Sequence, residues 1–256
     1  MKYSVSIHAA IPGGDLTTVE KIGKAAALGY SAFEMWAWWN EDLESVRHAA
    51  EAGGMAVGSI CTKFVSLVDP ALRSDYITGL RESVEAAGQL GCRYLISQTG
   101  NVREGVSRAS QAASLVEGLR QAAPILEAAG VTLVVEPLNT RVDHPGYFLE
   151  KSEEAAELIR AVGSSHVKLL YDVYHQQISE GDLIPTIRRN MDVIDYFHIA
   201  DHPGRHEIGT GEINYVNVLR AIKETGYDGF VGLEYFPAVD AEQALRNFMA
   251  EFGPLA

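Results

Sequence analysis

Four residues that can bind a metal ion each stand at or near the end of a short apolar run. They are Glu136 after LVV, Asp172 after KLLY, His198 in VIDYFHI and Glu234 after VGL. Three carboxylates that share a site repel one another, and a divalent cation between them removes that repulsion. Oxygen ligands with a single nitrogen favour Mn²⁺ or Mg²⁺, with Zn²⁺, Co²⁺ or Fe²⁺ as further candidates. The pattern predicts a divalent-metal site if the fold brings the four residues together.

The segment after His198 carries a second group of polar side chains, ADHPGRHEIGTGE at positions 200–212. A core strand that continues into a loop of donors, acceptors and glycines is the usual anatomy of a site on a rigid scaffold. Within this loop, Arg205 has a guanidinium fork that suits a carboxylate, so we predict that it binds the substrate. His206 and Glu207 either join the site or only order the loop.

Strand-like and helix-like segments alternate along the chain, and the four candidate ligands belong to consecutive strands. Strict β–α alternation implies parallel strands joined by right-handed crossovers. Eight such units in about 250 residues match a closed (β/α)₈ TIM barrel, whose catalytic groups come from the C-terminal ends of the strands. We therefore predict a single α/β TIM-barrel domain over residues 1–256, with strands near 3–8, 32–36, 55–60, 93–98, 131–135, 166–171, 193–199 and 229–233.

An open, doubly wound sheet is the alternative architecture. It requires a glycine-rich phosphate turn after the first strand, and the chain has only PGG at 12–14 there. The barrel fits better, with one helix after each of its eight strands. Pro124 falls inside the helix expected over 107–129, and it predicts a kink or a break in that helix.

The composition limits the partners of the protein. A chain of 256 residues with 47% hydrophobic residues can bury a substantial core. Its net charge of -13 disfavours a nucleic-acid partner, because such a surface repels phosphates. Two cysteines are too few for a disulfide framework, and no apolar run reaches the ~18 residues of a membrane helix. These features favour a cytoplasmic protein with no membrane partner.

Three motifs carry a resemblance to a known family: EPLNTR at 136–141, YDVYH at 171–175 and HPGRHEIGTGE at 202–212. They resemble those of hydroxypyruvate isomerases. That family belongs to the xylose-isomerase-like barrels, which also include sugar 3-epimerases, inosose dehydratases and an endonuclease branch. The resemblance covers nearly the whole chain and is strongest from 136 to 234. The HPGRHE loop is its most specific motif.

The resemblance implies a metal on Glu136, Asp172, His198 and Glu234, together with a reaction. The substrate would be hydroxypyruvate, which isomerises to tartronate semialdehyde, or a closely related small hydroxy carbonyl or sugar acid. A divalent cation polarises the carbonyl and eases removal of the neighbouring C–H proton. Glu136 and Glu234 are implied as the acid/base pair that moves this proton through a cis-enediolate. The chain is thus expected to be an isomerase of the aldose–ketose type.

Three residues besides Arg205 are candidates for contact with this substrate. His175 closes the YDVYH motif, and Asn139 belongs to the EPLN motif. Both are expected to bind substrate oxygens. His8 ends the first strand, where it either lines the pocket or is a hydrogen-bonded core histidine.

Two positions separate the subfamilies that the chain resembles. The ligand on strand seven can be glutamine in hydroxypyruvate isomerases and is histidine in 3-epimerases, so His198 favours the epimerase pattern. The 3-epimerases similarly carry a further glutamate shortly after the first ligand, where this chain has Val142. That position favours the isomerase, and substrate identity stays open between the two.

Aromatic residues after the second and third strands have two interpretations. Trp36 and Phe64 either wall a small pocket or, as we expect, pack in the core. Trp38 and Trp39 either cover the pocket mouth or make a subunit contact, so a homo-oligomer is left open.

Other activities on this scaffold are alternatives to the isomerase. A ketose 3-epimerase or an inosose dehydratase is the main one. An endonuclease-type hydrolase of abasic DNA would need a multi-zinc cluster and a basic groove, which the net charge of -13 argues against. A non-catalytic carbohydrate-binding protein is disfavoured because both Glu136 and Glu234 accompany the other two ligands.

Overall fold

Eight parallel strands pair in chain order and close into a barrel, with β1 hydrogen-bonded to both β2 and β8. The computed structural model describes residues 1–255. Each strand is buried on both faces, as its nearly continuous apolar sequence requires. The predicted α/β TIM barrel is confirmed. The strands are β1 (Lys2–Ser6), β2 (Ala32–Met35), β3 (Ala56–Cys61), β4 (Tyr94–Ser97), β5 (Thr132–Val135), β6 (Val167–Asp172), β7 (Ile194–Ile199) and β8 (Phe230–Leu233).

Nine α-helices surround the barrel in the described residues. The first begins with a capping box, in which Thr17 and Glu20 bond to each other's backbone N–H. No helix between residues 1 and 255 is long and apolar enough to cross a membrane. The helices are α1 (Thr18–Ala27), α2 (Leu43–Gly53), α3 (Arg73–Leu90), α4 (Arg108–Ala129), α5 (Ser152–Val162), α6 (Val173–Ser179), α7 (Leu183–Asn190), α8 (Tyr215–Glu224) and α9 (Ala241–Phe252), with short 3₁₀-helices at Trp38–Asn40, Pro70–Leu72 and Gly253–Leu255.

Helix α6 was not expected, so the predicted count of eight helices is wrong for the part of the chain described. It follows β6 with no intervening loop. Its start is defined by the Asp172 side chain, which accepts hydrogen bonds from the N–H groups of Tyr174 and His175. The last residue of a strand thus also caps a helix.

Helix α4 runs through Pro124 without a break, so the predicted break is wrong. A proline inside a helix costs about 3 kcal/mol because it removes a backbone donor and crowds the preceding turn. Leu119, Ala123 and Leu126 are buried on either side of it. We attribute the continuity of the helix to this packing against its neighbours, which a local reading of the sequence does not include.

The interior of the barrel holds its own small hydrophobic cluster. Each strand from β3 to β7 contributes one buried residue, and the side chains of these residues pack against one another inside the barrel. This layer closes the barrel below its C-terminal end, and the next layer of inward-facing residues is polar. The cluster consists of Cys61, Ile96, Val134, Leu170 and Tyr196.

Candidate metal centre and active site

Glu136, Asp172, His198 and Glu234 come together at the C-terminal end of the barrel. Each stands two positions beyond an inward-facing residue of its strand, as Glu136 does beyond Val134, so the pleat turns all four side chains towards the axis. All four are buried. One potential ligand atom from each lies within 4.8 Å of those of the other three.

Several atoms of this centre have no hydrogen-bond partner among residues 1–255. They are Glu136 Oε1, Asp172 Oδ2 and His198 Nδ1. His198 Nδ1 lies 3.6 Å from Glu136 Oε1 and 3.4 Å from Glu234 Oε2. Such buried, unpaired atoms cost about 1–3 kcal/mol each. The donor set and its convergence therefore fit a divalent cation, which satisfies all of these atoms at once.

A fourth carboxylate, Glu34, lies behind His198, and the sequence analysis missed it. Glu34 is in the middle of β2 and only 1% exposed. One of its oxygens is 3.2 Å from His198 Nε2, on the side of the ring away from the ligand cluster. The signal in the sequence was an acidic residue within the apolar strand AFEM, because charged residues are almost never fully buried unless paired.

The charges within the centre shift the pKa values of its members. Burial lowers the pKa of His198, but Glu34 and Glu234 outweigh this effect and raise it well above its usual value. Burial opposes ionisation of Glu234, yet Arg205 and His198 hold its pKa below the usual value. For Asp172, burial dominates and raises the pKa, with Arg205 opposing it. The imidazolium of His198 and the guanidinium of Arg205 thus offset part of the negative charge of the carboxylates.

Arg205 reaches the centre from the loop after β7. Its guanidinium pairs with Glu234 and lies 3.8 Å from Asp172 Oδ2. It also stacks over Tyr174 and Phe236, at 5.4 and 5.9 Å from the ring centroids. Its charge is therefore shared with two candidate ligands, but its Nε has no partner in the described chain. That N–H remains able to donate to a substrate oxygen.

The loop that carries Arg205 is ordered by its own acidic side chains. Asp201 is completely buried and accepts hydrogen bonds from the backbone N–H groups of residues 202, 209 and 213. Glu207 accepts from the N–H of Ala238, and His206 Nδ1 lies 2.8 Å from the carbonyl oxygen of Phe236. Of the two alternatives left open for His206 and Glu207, these contacts favour loop ordering.

His175 and Asn139 form a completely buried pair beside the centre. His175 Nδ1 accepts from the backbone N–H of Asn139 at 3.2 Å and lies 2.7 Å from its side-chain Nδ2. The proton of the neutral ring is therefore on Nε2, which has no hydrogen-bond partner in residues 1–255 and lies 3.6 Å from Asp172 Oδ2. Burial, aided by Arg205, lowers the pKa of His175 well below its usual value.

The predicted contact of Asn139 with a substrate is not favoured by these bonds. Its Oδ1 accepts from the N–H groups of residues 142 and 143, and its Nδ2 is shared between His175 and Asp143. No polar atom of the side chain is left for a ligand. The structure favours a role for Asn139 in holding the ring of His175.

Trp36 and His8 make a second supporting pair on the opposite side. The indole N–H of Trp36 donates to Glu234 Oε1 at 2.9 Å, and its backbone N–H donates to His8 Nδ1 at 3.1 Å. His8 also lies 4.0 Å from Glu41. His8 therefore supports the backbone of Trp36, whereas the indole of Trp36 contacts Glu234 directly.

A pocket of about 280 Å³ opens above Glu136 and Glu234. The expected core packing of Phe64 was wrong, because it lines this pocket and is 63% exposed, whereas Trp36 lines the pocket and also packs against the interior cluster. Trp39 packs edge-to-face on Phe64 at 5.4 Å, and Trp38 packs on Trp39 at 5.8 Å, so the two tryptophans stand behind Phe64. The remaining lining residues are Cys61, Ile96, Gln98, Glu136, Leu138, His144, Tyr147, Arg205 and Glu234.

Known proteins are similar to this chain in sequence or in structure. Hydroxypyruvate isomerase of Escherichia coli (strain K12) is 32% identical over 245 residues, which cover 91% of this chain and 93% of the relative. A 2-oxo-tetronate isomerase of Cupriavidus necator is 31% identical over 235 residues, or 89% and 90% of the two chains. The crystal structure of an AP endonuclease, family 2, from Brucella melitensis has a TM-score of 0.91 at 26% identity, over 99% of this chain and 98% of that one.

The sequence profile of the family described as "Xylose isomerase-like TIM barrel" matches residues 22–252. The relatives above 30% identity are named as isomerases, and the prediction that this chain is an isomerase-type enzyme is confirmed. The chain belongs to the xylose isomerase-like TIM barrel family and, within it, is similar to the hydroxypyruvate isomerases.

Proposed function

We propose that this chain is a metal-dependent isomerase that interconverts hydroxypyruvate and tartronate semialdehyde. A 2-oxo-tetronate, named for the Cupriavidus relative, is the nearest alternative substrate. The observation that carries the proposal is the pair of buried carboxylates, Glu136 and Glu234, in one centre with Asp172 and His198. Similarity to hydroxypyruvate isomerase over 91% of the chain supports it.

For the metal of this centre we propose Mn²⁺ or Mg²⁺. When bound, such an ion polarises the carbonyl of an α-hydroxy carbonyl compound and eases the loss of the neighbouring C–H proton. Three of the four ligand residues offer oxygen, which these ions prefer. Elemental analysis before and after chelation, followed by titration with each ion, tests the assignment. A protein that binds neither ion would contradict it.

Glu136 and Glu234 form the proposed acid/base pair. In the forward direction a proton leaves C3 of hydroxypyruvate to give an enediolate, the hydroxyl proton passes from the C3 oxygen to the C2 oxygen, and a proton is returned to C2. Both oxygens of Glu234 are engaged, one by Trp36 and one by Arg205, whereas Glu136 Oε1 has no partner in residues 1–255. These contacts favour Glu136 for the first proton transfer, a step worth roughly 10²–10⁴-fold in rate.

Two donors beside the carboxylates are suited to orient the substrate. His175 Nε2–H and Arg205 Nε–H are both buried and unpaired in the described chain. A neutral imidazole donates a hydrogen bond without adding a charge, and the guanidinium favours the oxygens of an acid. The apolar side chains of Leu138 and Ile96 line the same pocket, so they restrict the access of water to the enediolate.

Deuterium exchange separates this isomerase from other reactions. Hydroxypyruvate is incubated in D₂O with the Mg²⁺-loaded protein and followed by ¹H NMR. The proposal expects loss of the C3–H signal and growth of an aldehyde product, with neither change after chelation. If deuterium never enters the substrate and no aldehyde forms, the isomerase assignment is wrong.

A ketose 3-epimerase is the second candidate, favoured by the presence of His198 at the ligand position of β7. Its reaction would exchange the C3–H of a ketose, so the same experiment with D-fructose discriminates between the two. Exchange at C3 of the ketose together with an inert hydroxypyruvate would favour the epimerase. Val142, in place of the further glutamate of the epimerase pattern, supports the isomerase.

We further propose that the enzyme works in the cytoplasm. Cys61 and Cys92 are both free and buried, and unpaired thiols are typical of a reducing compartment. Alkylation followed by mass spectrometry should modify both thiols in the unfolded protein without prior reduction. A disulfide in the purified protein would contradict the proposal.

A further inference from the structure

We propose that Glu34 is a positioning residue of the metal centre: it holds the His198 ring so that Nδ1, and not Nε2, faces the cation. This inference rests on the proposed metal site. Glu34 lies on β2 and His198 on β7, and the two side chains meet inside the barrel. It is separate from the four ligands, whose candidate ligand atoms lie on the other side of the ring.

The hydrogen bonds of Glu34 define which nitrogen carries the proton. Glu34 Oε2 lies 3.2 Å from His198 Nε2, and an ionised carboxylate only accepts hydrogen bonds. Nε2 must therefore be the donor. When a metal replaces the second ring proton, the lone pair lies on Nδ1, which faces Glu136 and Glu234.

Glu34 is itself held from two further sides. Tyr196 donates its hydroxyl to Oε2 at 2.8 Å, and Ser59 donates to the same oxygen at 2.9 Å. A buried carboxylate with several donors is rigid, so the ring it binds cannot rotate freely. Its negative charge also raises the basicity of the imidazole, as the carboxylate partners of metal-binding histidines do.

The barrel makes room for this pair by omitting a side chain. Gly232 lies on β8 beside both residues, and a Cβ there would press on the carboxylate of Glu34 and lie 2.6 Å from Cδ2 of His198. Burying a carboxylate in a barrel interior is costly unless it is paired. Here Gly232 leaves space for the Glu34 carboxylate, and Tyr196, Ser59 and His198 are its hydrogen-bond donors. We infer that the fold is adapted to this contact.

The first test measures Mn²⁺ binding by electron paramagnetic resonance in the wild type, Glu34→Gln and Glu34→Ala. Loss of such an outer partner weakens metal binding by roughly 10–100-fold. We expect the smaller loss for glutamine, which keeps an acceptor oxygen, and the larger loss for alanine. Glu180→Gln is the matched control, because Glu180 is a part-buried glutamate that accepts from Ser152 outside the centre. It should bind Mn²⁺ as the wild type does.

The second test is a spectroscopic one that a purely structural role would not affect. In the Mg²⁺-loaded protein with ¹⁵N-labelled histidine, the Nε2–H proton of His198 should appear far downfield and exchange slowly. In Glu34→Ala it should move upfield and exchange quickly, and in Glu34→Gln it should be intermediate. Glu180→Gln should leave it unchanged. Glu34→Gln has nearly the shape of the native residue, so it keeps the test valid if the alanine variant does not fold.

The outcomes separate this inference from the proposed function. Wild-type Mn²⁺ affinity and an unchanged Nε2–H signal in Glu34→Gln and Glu34→Ala would overturn the role of Glu34 alone. A wild-type protein that binds no Mn²⁺ and no Mg²⁺ would overturn the metal site, and the inference with it. Weakened binding with a shifted signal in the Glu34 variants, and neither in the control, supports the proposal.

Discussion

Glu136 and Glu234 share one centre but differ in their contacts, and this difference matters at the scale of single residues. Glu234 is engaged by Arg205 and Trp36, while an oxygen of Glu136 is unpaired in the described chain. We expect Glu136→Gln to lower turnover of hydroxypyruvate by roughly 10²–10⁴-fold at saturating Mg²⁺, because the amide cannot accept the proton. The NMR exchange assay measures the effect.

A control glutamate must lie outside the pocket. Glu127 is exposed on α4, where it accepts a hydrogen bond from Ser164. Glu127→Gln should retain wild-type turnover. Unchanged turnover in Glu136→Gln would place the proton transfer on another group.

Asn139 is predicted to act on stability as well as on the site. It is fully buried, and its amide makes four hydrogen bonds, to residues 142, 143 and 175. Asn139→Ala leaves several of these partners unsatisfied, so we expect the free energy of unfolding to fall by about 1–3 kcal/mol. Chemical denaturation measures this change. Asn247→Ala, at an exposed position on α9, should cost much less, and an equal loss in both would contradict the argument.

His8 is predicted to make stability depend on pH. Burial lowers its pKa, with Glu41 opposing, so below about pH 6.5 the unfolded chain binds a proton that the folded protein does not. Stability from this residue is complete above pH 6.5 and falls as the pH drops towards its folded pKa. His8→Asn keeps an acceptor for Trp36, so its free energy of unfolding should decrease less between pH 7.5 and 5.5 than that of the wild type. An identical decrease would exclude His8 as the cause.

At the scale of elements, the junction between β6 and α6 gives one carboxylate two separate tasks. Asp172 Oδ1 accepts the N–H groups of Tyr174 and His175 and so begins α6. Oδ2 has no hydrogen-bond partner in the part of the chain described and faces the other candidate ligands. Because the cap fixes the side chain, Oδ2 is held in place before a ligand arrives, which lowers the ordering cost of binding.

Strand β8 is predicted to tolerate no side chain at Gly232. A Cβ would meet both Glu34 and His198, so Gly232→Ala should lower both the melting temperature and the affinity for Mn²⁺. Gly88 in α3 is the matched control, since a Cβ there meets nothing within 4 Å. Gly88→Ala should raise stability by about 0.5–1 kcal/mol and leave Mn²⁺ binding unchanged. Scanning calorimetry and an Mn²⁺ titration distinguish the two, and wild-type binding in Gly232→Ala would refute the crowding argument.

At the scale of the whole molecule, the centre joins four neighbouring strands of the eight-stranded barrel. A metal held by β5, β6, β7 and β8 should therefore stabilise the complete fold, by about 2.7 kcal/mol when its free concentration is 100 times its Kd. We expect the melting temperature to rise with added Mn²⁺ and to fall on chelation. Asp172→Asn keeps the helix cap but weakens the site, so its melting temperature should respond much less. If Mn²⁺ does not change the melting temperature of the wild type, the proposed metal site is wrong.

The barrel and the four candidate ligands were readable from the sequence because both depend on local patterns. Apolar runs separated by helical segments define parallel strands. Once a strand has been located in the sequence, the residue at its end is also known. Glu136, Asp172 and Glu234 were found in this way, without any knowledge of side-chain contacts. Helix α6 was missed because a helix that follows a strand directly has no turn signal before it.

The sequence by itself therefore predicted the fold, the candidate ligands and the family, while the tertiary structure decided how these residues are held. Glu34 lies behind His198, and the Trp36 indole reaches Glu234, only because the barrel closes β1 on β8 and sets distant strands face to face. Arg205 likewise meets the centre through a folded loop. Such contacts join residues far apart in the chain, and their geometry depends on packing that no local pattern contains.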